Sequence, residues 1–246
     1  MLVSFIFLAI GAYLLGSVPT AYLIAKWSRG IDVRQYGSGN VGTANVFTVA
    51  SKRWSIPVII FDLGKGLLPV CVAQLLQLPV YQQVIVGMAA ISGHNWPVFL
   101  RFSGGRGVLT TLGIVFAFAP WLALVLLAIA VAFIPFGKFA FGTLLALTML
   151  PTFSWFLAQP FGITKSLTLT IGFVAILLLA IFRRLTAPRT SFTDTVSTRQ
   201  LIINRILLDR DIRDRKVWIG RTPSGVTSIE ESLEESFEES LGQQEK

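Results

Sequence analysis

The chain is short of the side chains on which most enzymes rely. Its 246 residues include one cysteine and one histidine. The lone Cys71 excludes a disulfide or a cysteine metal cluster within one chain. Acidic residues are scarce and unevenly placed. Before residue 194 there are only Asp32 and Asp62, against thirteen Lys and Arg. Two carboxylates leave little material for paired acid–base catalysis and cannot supply the aspartate cluster of a metal-dependent phosphotransferase. Charge is low in general. At 14% charged and 53% hydrophobic the chain is too apolar for a soluble domain of this length, and it reads as an all-α polytopic membrane protein. Internal repeats, or charges spread along several spans as in a transporter, are also missing, and the polar motifs sit in loops. The positive excess suits an anionic substrate and anionic lipid headgroups rather than nucleic acid.

What the chain has in abundance is apolar runs. Leu2 to Ala25 has no basic residue before it and Lys26 and Arg29 after it. It reads as a retained first span with the N-terminus outside, not as a cleaved signal peptide. Small residues within it, Gly11 and Gly16, suit close helix packing. Further runs lie near 54–78, 83–100, 108–119, 121–135, 139–158 and 164–182. Pro120 divides the stretch 108–135, which is either one kinked span or two short ones. Two spans put the loops 26–53 and 101–107, Lys138 and the Arg183-Arg184-Arg189 cluster on the cytoplasmic side, leaving only Lys165 outside. The reading is therefore about seven transmembrane helices, N-terminus out and C-terminus in. Residues 1–185 form the membrane domain and 186–246 a cytoplasmic extension. Leu201 to Ile219 alternates apolar and charged residues and suggests an amphipathic helix on the membrane surface or against the bundle. From about Ile229 onward, Glu and Ser dominate and predict disorder.

Two loops on the expected cytoplasmic side carry the polar chemistry. The second runs Gly93-His94-Asn95-Trp96-Pro97-Val98-Phe99-Leu100-Arg101-Phe102-Ser103-Gly104-Gly105-Arg106-Gly107. Gly104, Gly105 and Gly107 let backbone N–H groups approach one anion, Arg106 adds a guanidinium, and the helix expected from Val108 points its positive end the same way. A plain inter-helix loop with arginines facing headgroups is the alternative. The first loop contains Gly37-Ser38-Gly39-Asn40-Val41-Gly42 and Asn45. Hydroxyl and amide groups there offer neutral hydrogen bonds to a polar ligand, or are turn chemistry with Ser38 as a helix cap. Asp62 and Lys65, inside the second apolar run, are three residues apart and able to pair on one helix face, with Lys65 within reach of a phosphate.

These residues carry a resemblance. The two loop motifs, together with Leu15-Gly16-Ser17-Val18-Pro19 and Asp62-Leu63-Gly64-Lys65-Gly66, resemble the bacterial acyl-phosphate:glycerol-3-phosphate acyltransferases over about residues 10–185. The resemblance implies a seven-helix integral enzyme of the bacterial cell membrane with its motifs in cytoplasmic loops. It implies transfer of a fatty acyl group from acyl phosphate to the 1-position of glycerol 3-phosphate. The product is lysophosphatidic acid, in phospholipid biosynthesis. No cofactor or metal is implied, and a functional link to the enzyme that makes acyl phosphate is. Three positions depart from the pattern. Thr48 stands where an arginine is usual, with Lys52 or Arg53 as candidate replacements. Ser103 and Arg106 stand where lysines are frequent. After the last span Arg184 and Ala187 replace a histidine and an asparagine, which leaves a divergent homologue with lost or altered activity as the alternative reading.

The chemistry expected of such a site is modest. An acyl phosphate is a mixed anhydride and already a good donor, so the site has to hold two phosphate-bearing molecules together and exclude water. Electrostatic stabilisation of the leaving phosphate and the oxyanion is the main contribution. His94, Ser38 and Asn40 are the candidate catalytic residues. His94 is assigned to substrate binding, with proton acceptance open because it is the one imidazole in the chain. Gly37, Gly39, Asn45, Lys65, Gly104, Gly105, Arg106, Gly107 and Arg184 are the candidate phosphate-binding residues.

Overall fold

A computed structural model describes residues 2–157 and 167–223. Every regular element among them is helical: α1 (Leu2–Ser17), α2 (Thr20–Arg29), α3 (Thr43–Val49), α4 (Lys52–Leu75), α5 (Val80–Asn95), α6 (Val108–Phe118), α7 (Pro120–Ala132), α8 (Phe139–Phe156), α9 (Leu167–Leu185), α10 (Thr198–Leu208) and α11 (Arg215–Ile219), with short 3₁₀ turns at Val98–Leu100 and Thr193–Thr195. Among the described residues four stretches are long and apolar enough to cross a bilayer: Leu2–Arg29, Lys52–Leu75, Phe139–Phe156 and Leu167–Leu185. α6 and α7 are shorter apolar helices. Eleven and thirteen residues reach only about 16–20 Å at 1.5 Å per residue, against a hydrocarbon core of about 30 Å. The division expected at Pro120 is present, and Pro120 opens α7, where its missing N–H leaves nothing unpaired.

The first apolar run differs from the single helix that its composition suggests. It breaks at Val18-Pro19, because proline has no N–H to donate and its ring collides with the preceding turn. The break leaves the Val18 carbonyl outside the helical ladder, where the Lys65 Nζ donates to it at 2.6 Å.

Helix packing uses glycine at two reciprocal contacts. α1 and α5 meet where Gly16 lies on the Ala90 carbonyl and Gly93 on that of Tyr13. α4 and α6 meet where Gly66 lies on the Thr110 carbonyl and Gly113 on that of Leu63. Small residues at such crossings let backbones touch where lipid gives no hydrophobic drive. The main core joins α5 to α9 through Ile114, Leu122, Leu150, Phe173 and Ile176. A second cluster, with Val33, Val41, Val46, Val58 and Leu100, sits under the first loop and gives that loop its own core. Phe7, Trp121 and Leu178 are among the large apolar side chains left on the outside, as a lipid-facing surface requires.

The extension does not form one amphipathic helix. α10 ends at Leu208, Asp209 takes a left-handed conformation at φ 53°, and α11 starts only at Arg215. α10 packs against α8 and α9 rather than standing off the bundle. Asp211 ties its end down by accepting from Arg205 Nε at 2.8 Å, Thr190 Oγ1 at 2.7 Å and Thr193 Oγ1 at 2.8 Å. The stretch from Ile229 and the position of Lys165 lie outside the described residues.

Candidate active site

The first loop is built around Asn45. Its side-chain amide donates to the carbonyls of Val33 at 2.9 Å and Tyr36 at 3.0 Å, and its Oδ1 accepts from Ser38 N–H at 3.0 Å. Asn45 is 2% exposed. With its amide engaged on loop backbone, it shapes the turn rather than facing a phosphate, which corrects its expected role. Gly37 and Gly39 sit at φ 58° and 68°, the left-handed region that glycine tolerates without strain. Ser38 Oγ is 3.4 Å from Asn40 N–H. Asn40 Oδ1 and Thr43 Oγ1 are buried and have no hydrogen-bond partner among the described residues, so both are available to a ligand. Nearby, Arg34 holds the Asp32 carboxyl below the usual carboxylate range, mainly through their side-chain hydrogen bond.

The glycine-rich turn is strapped from two sides. Gly105 N–H donates to the His94 carbonyl at 3.1 Å. From α9, Arg183 donates through Nε to the Gly105 carbonyl at 2.9 Å and through Nη2 to that of Gly104 at 2.7 Å. Its guanidinium also lies over the Trp96 ring, 5.7 Å from the centroid. Gly105 leaves no room for a side chain: a Cβ there would strike His94 Nε2 and lie 2.6 Å from the Val41 carbonyl. That contact joins the two loops, since Val41 follows Asn40. Gly107, at φ 69°, leads into α6, whose first turn carries no side-chain cap. The N-terminal N–H groups of α6 are therefore free of side-chain competition, as the anion-site reading requires. Arg106 extends from the turn and pairs with Asp209 of the extension, Nε to Oδ1 at 2.6 Å.

Behind the turn lies a small polar cavity lined by Gly16, Ser17, Val18, Pro19, Thr20, Ala21, Val41, Asp62, Lys65, His94 and Pro97. Its volume of about 10 Å³ holds roughly one water. Lys65 and Asp62 pair at 2.7 Å and each is 2% exposed. His94 Nδ1 stands 3.8 Å from Asp62 Oδ1, close enough to feel its charge but beyond hydrogen-bond length. With its amine held by Asp62 and the Val18 carbonyl, Lys65 is anchored at the cavity wall. Ser17 Oγ and Thr20 Oγ1 are buried beside the same cavity without partners among the described residues. Ser17 stands in the motif Leu15-Gly16-Ser17-Val18-Pro19, but neither hydroxyl is among the candidate site residues read from the sequence. Their signal is Pro19, which lies between them after Val18, and with it the helix break.

Arg184 is elsewhere. Its guanidinium donates to the Ala140 carbonyl at 2.8 Å, to Thr143 Oγ1 at 2.9 Å and to the Ile206 carbonyl. It is 4% exposed and braces α8, α9 and α10. The expected phosphate contact does not fit this geometry, because its donors are turned away from the loops, whereas Arg183, one residue earlier, is at the turn. The structure thus sets Lys65, His94 and Val41 of the first loop around one cavity, with Gly105 against Val41 and His94, Gly104 and Gly107 in the same turn and Gly37, Ser38, Gly39 and Asn40 in the loop that leads to Val41; it turns Arg106 to Asp209 and leaves Arg184 outside. Among the described residues no three His, Cys, Asp or Glu side chains converge as a metal site.

The sequence model of the family described as glycerol-3-phosphate acyltransferase matches residues 6–189. A protein of Dehalococcoides mccartyi strain 195, glycerol-3-phosphate acyltransferase 5, is 48% identical over 221 residues, covering 90% of this chain and 95% of its own. Glycerol-3-phosphate acyltransferase 4 of strain CBDB1 is 46% identical over 217 residues, 88% of this chain and 94% of its own. Both matches exceed the 189 residues at which the family match stops, so part of the extension is shared with these relatives. Among solved structures, the glycerol 3-phosphate form of PlsY (YgiH), an integral membrane glycerol 3-phosphate acyltransferase, superposes with a TM-score of 0.69 at 31% identity, over 86% of this chain and 96% of that one. Its lysophosphatidic acid form gives 0.66 at 30% identity, over 88% and 98%.

Proposed function

The chain belongs to the glycerol-3-phosphate acyltransferase family, and we propose that it transfers a fatty acyl group from acyl phosphate to the 1-hydroxyl of glycerol 3-phosphate, giving lysophosphatidic acid. The observation that carries this reading is the contact of the first loop with the glycine-rich turn at Val41 and Gly105, against His94. Two phosphate-bearing substrates need two anion-binding surfaces side by side, and these loops are adjacent. Glycerol 3-phosphate is taken by the first loop, where Ser38 Oγ, Asn40 Oδ1 and Thr43 Oγ1 meet its hydroxyls. The acyl phosphate group is taken at the start of α6, through its first backbone N–H groups, with Arg106 exchanging Asp209 for the phosphate. The hydroxyl oxygen attacks the acyl carbon, the carbon–oxygen bond to phosphate breaks, and the hydroxyl proton leaves with the released phosphate. Lys65, held by Asp62, adds positive charge behind His94, which we assign to binding and orienting substrate. Adjacency and charge stabilisation are sufficient levers because the donor is already activated.

In the membrane we read Leu2–Arg29, α4, α5, α6, α7, α8 and α9 as seven spans, with the N-terminus outside and both loops cytoplasmic. The support is the basic side chains that flank the loop side. The test of function is direct. Purified protein is incubated with palmitoyl phosphate and glycerol 3-phosphate, with palmitoyl-CoA and palmitoyl acyl carrier protein as rival donors. Lysophosphatidic acid from palmitoyl phosphate alone is expected. Product only from a thioester donor overturns the donor assignment.

A further inference from the structure

We propose that Arg221, in the extension, is the cation of the first loop and binds the phosphate of the phosphate-monoester substrate held there. This rests on the functional reading above. The loop has no cation of its own, since residues 37–50 contain neither Lys nor Arg. The flanking cations are engaged or face elsewhere. Arg34 is bonded to Asp32, Lys52 lies over the Phe47 ring at 5.6 Å, and Arg53 lines a separate surface groove with Ser28, Arg29, Ser51, Trp54 and Pro57.

Arg221 reaches the loop from far along the chain and is fixed there by a two-way clasp. Gly37 N–H donates to its carbonyl at 2.9 Å, and its Nε donates to the Gly37 carbonyl at 2.8 Å. Its guanidinium rests on the Trp218 ring, 4.5 Å from the centroid. Trp218 is itself buried and packs on Phe192, with ring centroids 6.2 Å apart. The outer edge of the guanidinium therefore has a set direction. Nη2 comes so near Gly39 that a Cβ there would be 2.6 Å from it. No described residue accepts a hydrogen bond from Nη1 or Nη2, and no described carboxylate pairs with Arg221. A preorganised guanidinium with its two outer nitrogens unengaged among the described residues, beside Gly37 and Gly39, matches a phosphate dianion in charge and in fork geometry.

Full-length wild type, Arg221→Ala, Arg221→Lys and Asn204→Ala are compared in lipid nanodiscs. Asn204 ties α10 to the Asp211 carbonyl, away from the loop, and so reports on loosening of the extension alone. Arg221→Ala is expected to raise KM for glycerol 3-phosphate by about tenfold or more, the scale of one lost charge-assisted contact. KM for palmitoyl phosphate should stay near wild type, Tm should fall no further than in Asn204→Ala, and Arg221→Lys should recover part of the loss in KM. Asn204→Ala should lower Tm and leave KM for glycerol 3-phosphate unchanged. An unchanged KM in Arg221→Ala, parallel rises in both KM values, or the same kinetic pattern in Asn204→Ala overturns the proposal. If wild type makes no lysophosphatidic acid, the functional reading fails and binding decides this one separately. A rise in Tm on adding glycerol 3-phosphate or inorganic phosphate, present in wild type and lost in Arg221→Ala, supports it, and equal rises in both overturn it.

Discussion

Gly105→Ala is the sharpest perturbation of the site, because one methyl group meets two immovable neighbours. The added Cβ would overlap His94 Nε2 and lie 2.6 Å from the Val41 carbonyl oxygen and 3.0 Å from His94 Cδ2. Comfortable non-bonded contact begins near 3.5 Å, so about 0.5–1 Å of movement is required. His94 is 8% exposed and Val41 4%, so neither can swing into open space. The turn cannot retreat either, since Gly105 is bonded at its N–H to His94 and at its carbonyl to Arg183. Overpacking of this kind costs about 1–3 kcal/mol of stability. A displacement near 1 Å between the loops costs about 100-fold in turnover. The assay is kcat/KM for lysophosphatidic acid formation, with Tm measured on the same preparation. Gly11→Ala is the control: nothing lies within 4 Å of its Cβ position, and both kcat/KM and Tm should match wild type. A Gly105→Ala protein with kcat/KM within twofold of wild type would refute the packing argument and separate the turn from the chemistry.

Other outcomes follow from the same contacts. Ser38→Ala and Asn40→Ala should each raise KM for glycerol 3-phosphate several-fold, with little change in KM for the acyl donor, measured by varying each substrate in turn. Arg183→Lys should lower kcat/KM by roughly 10- to 100-fold, since an ammonium cannot serve the Gly104 and Gly105 carbonyls with one planar fork. Arg184→Ala should instead lower stability by about 1–3 kcal/mol while kcat/KM changes less than threefold, read by Tm and kinetics together. Burial pushes the Asp211 carboxyl up, but hydrogen bonds from Arg205, Thr190 and Thr193 outweigh it, and the group is held below its usual range. Its stabilising contribution is thus complete at neutral pH and is lost as pH falls below the ordinary carboxylate value. Asp211→Asn should lower Tm at pH 7 and flatten the fall in Tm between pH 5 and 3.

The membrane character, the apolar segments and the two polar loops were legible in the sequence because each is a matter of composition over many residues. The division at Pro120 was legible for a local reason, since proline acts on its own turn. What sequence reasoning missed depends on who meets whom. Asn45 looked like a ligand because amides bind polar groups, but Val33 and Tyr36 turn their carbonyls toward it and claim its donors. Pro19 stands in the sequence as one residue of a motif inside the first apolar run. Only in three dimensions does its break present Ser17, Thr20 and the Val18 carbonyl to Lys65 on another helix. Lys52 and Arg53 were the nearest cations in sequence to Thr48, yet the guanidinium at the loop is Arg221, far along the chain. Proximity in sequence nominates candidates along one helix, whereas a loop can be completed by any segment that folds back on it.

The two adjacent arginines after the last apolar run show the same limit at its smallest scale. Successive side chains on a helix point about 100° apart, so Arg183 and Arg184 face different neighbours whatever their common charge. Arg184 occupies the motif position in the sequence. The phase of α9 is instead set by packing at its end, where Phe182 lies 5.9 Å from the Trp96 ring and Arg183 stacks on the same ring. That contact aims Arg183 at the glycine-rich turn and leaves Arg184 pointing to α8 and α10. A histidine at position 184 would have the same direction and could not reach the loops from it. Arg184→His should therefore not raise activity, and it should lower Tm because an imidazole cannot serve Ala140, Thr143 and Ile206 together. A gain in kcat/KM from Arg184→His would show that α9 turns during the reaction and that the arrangement described here is not the one that carries out transfer.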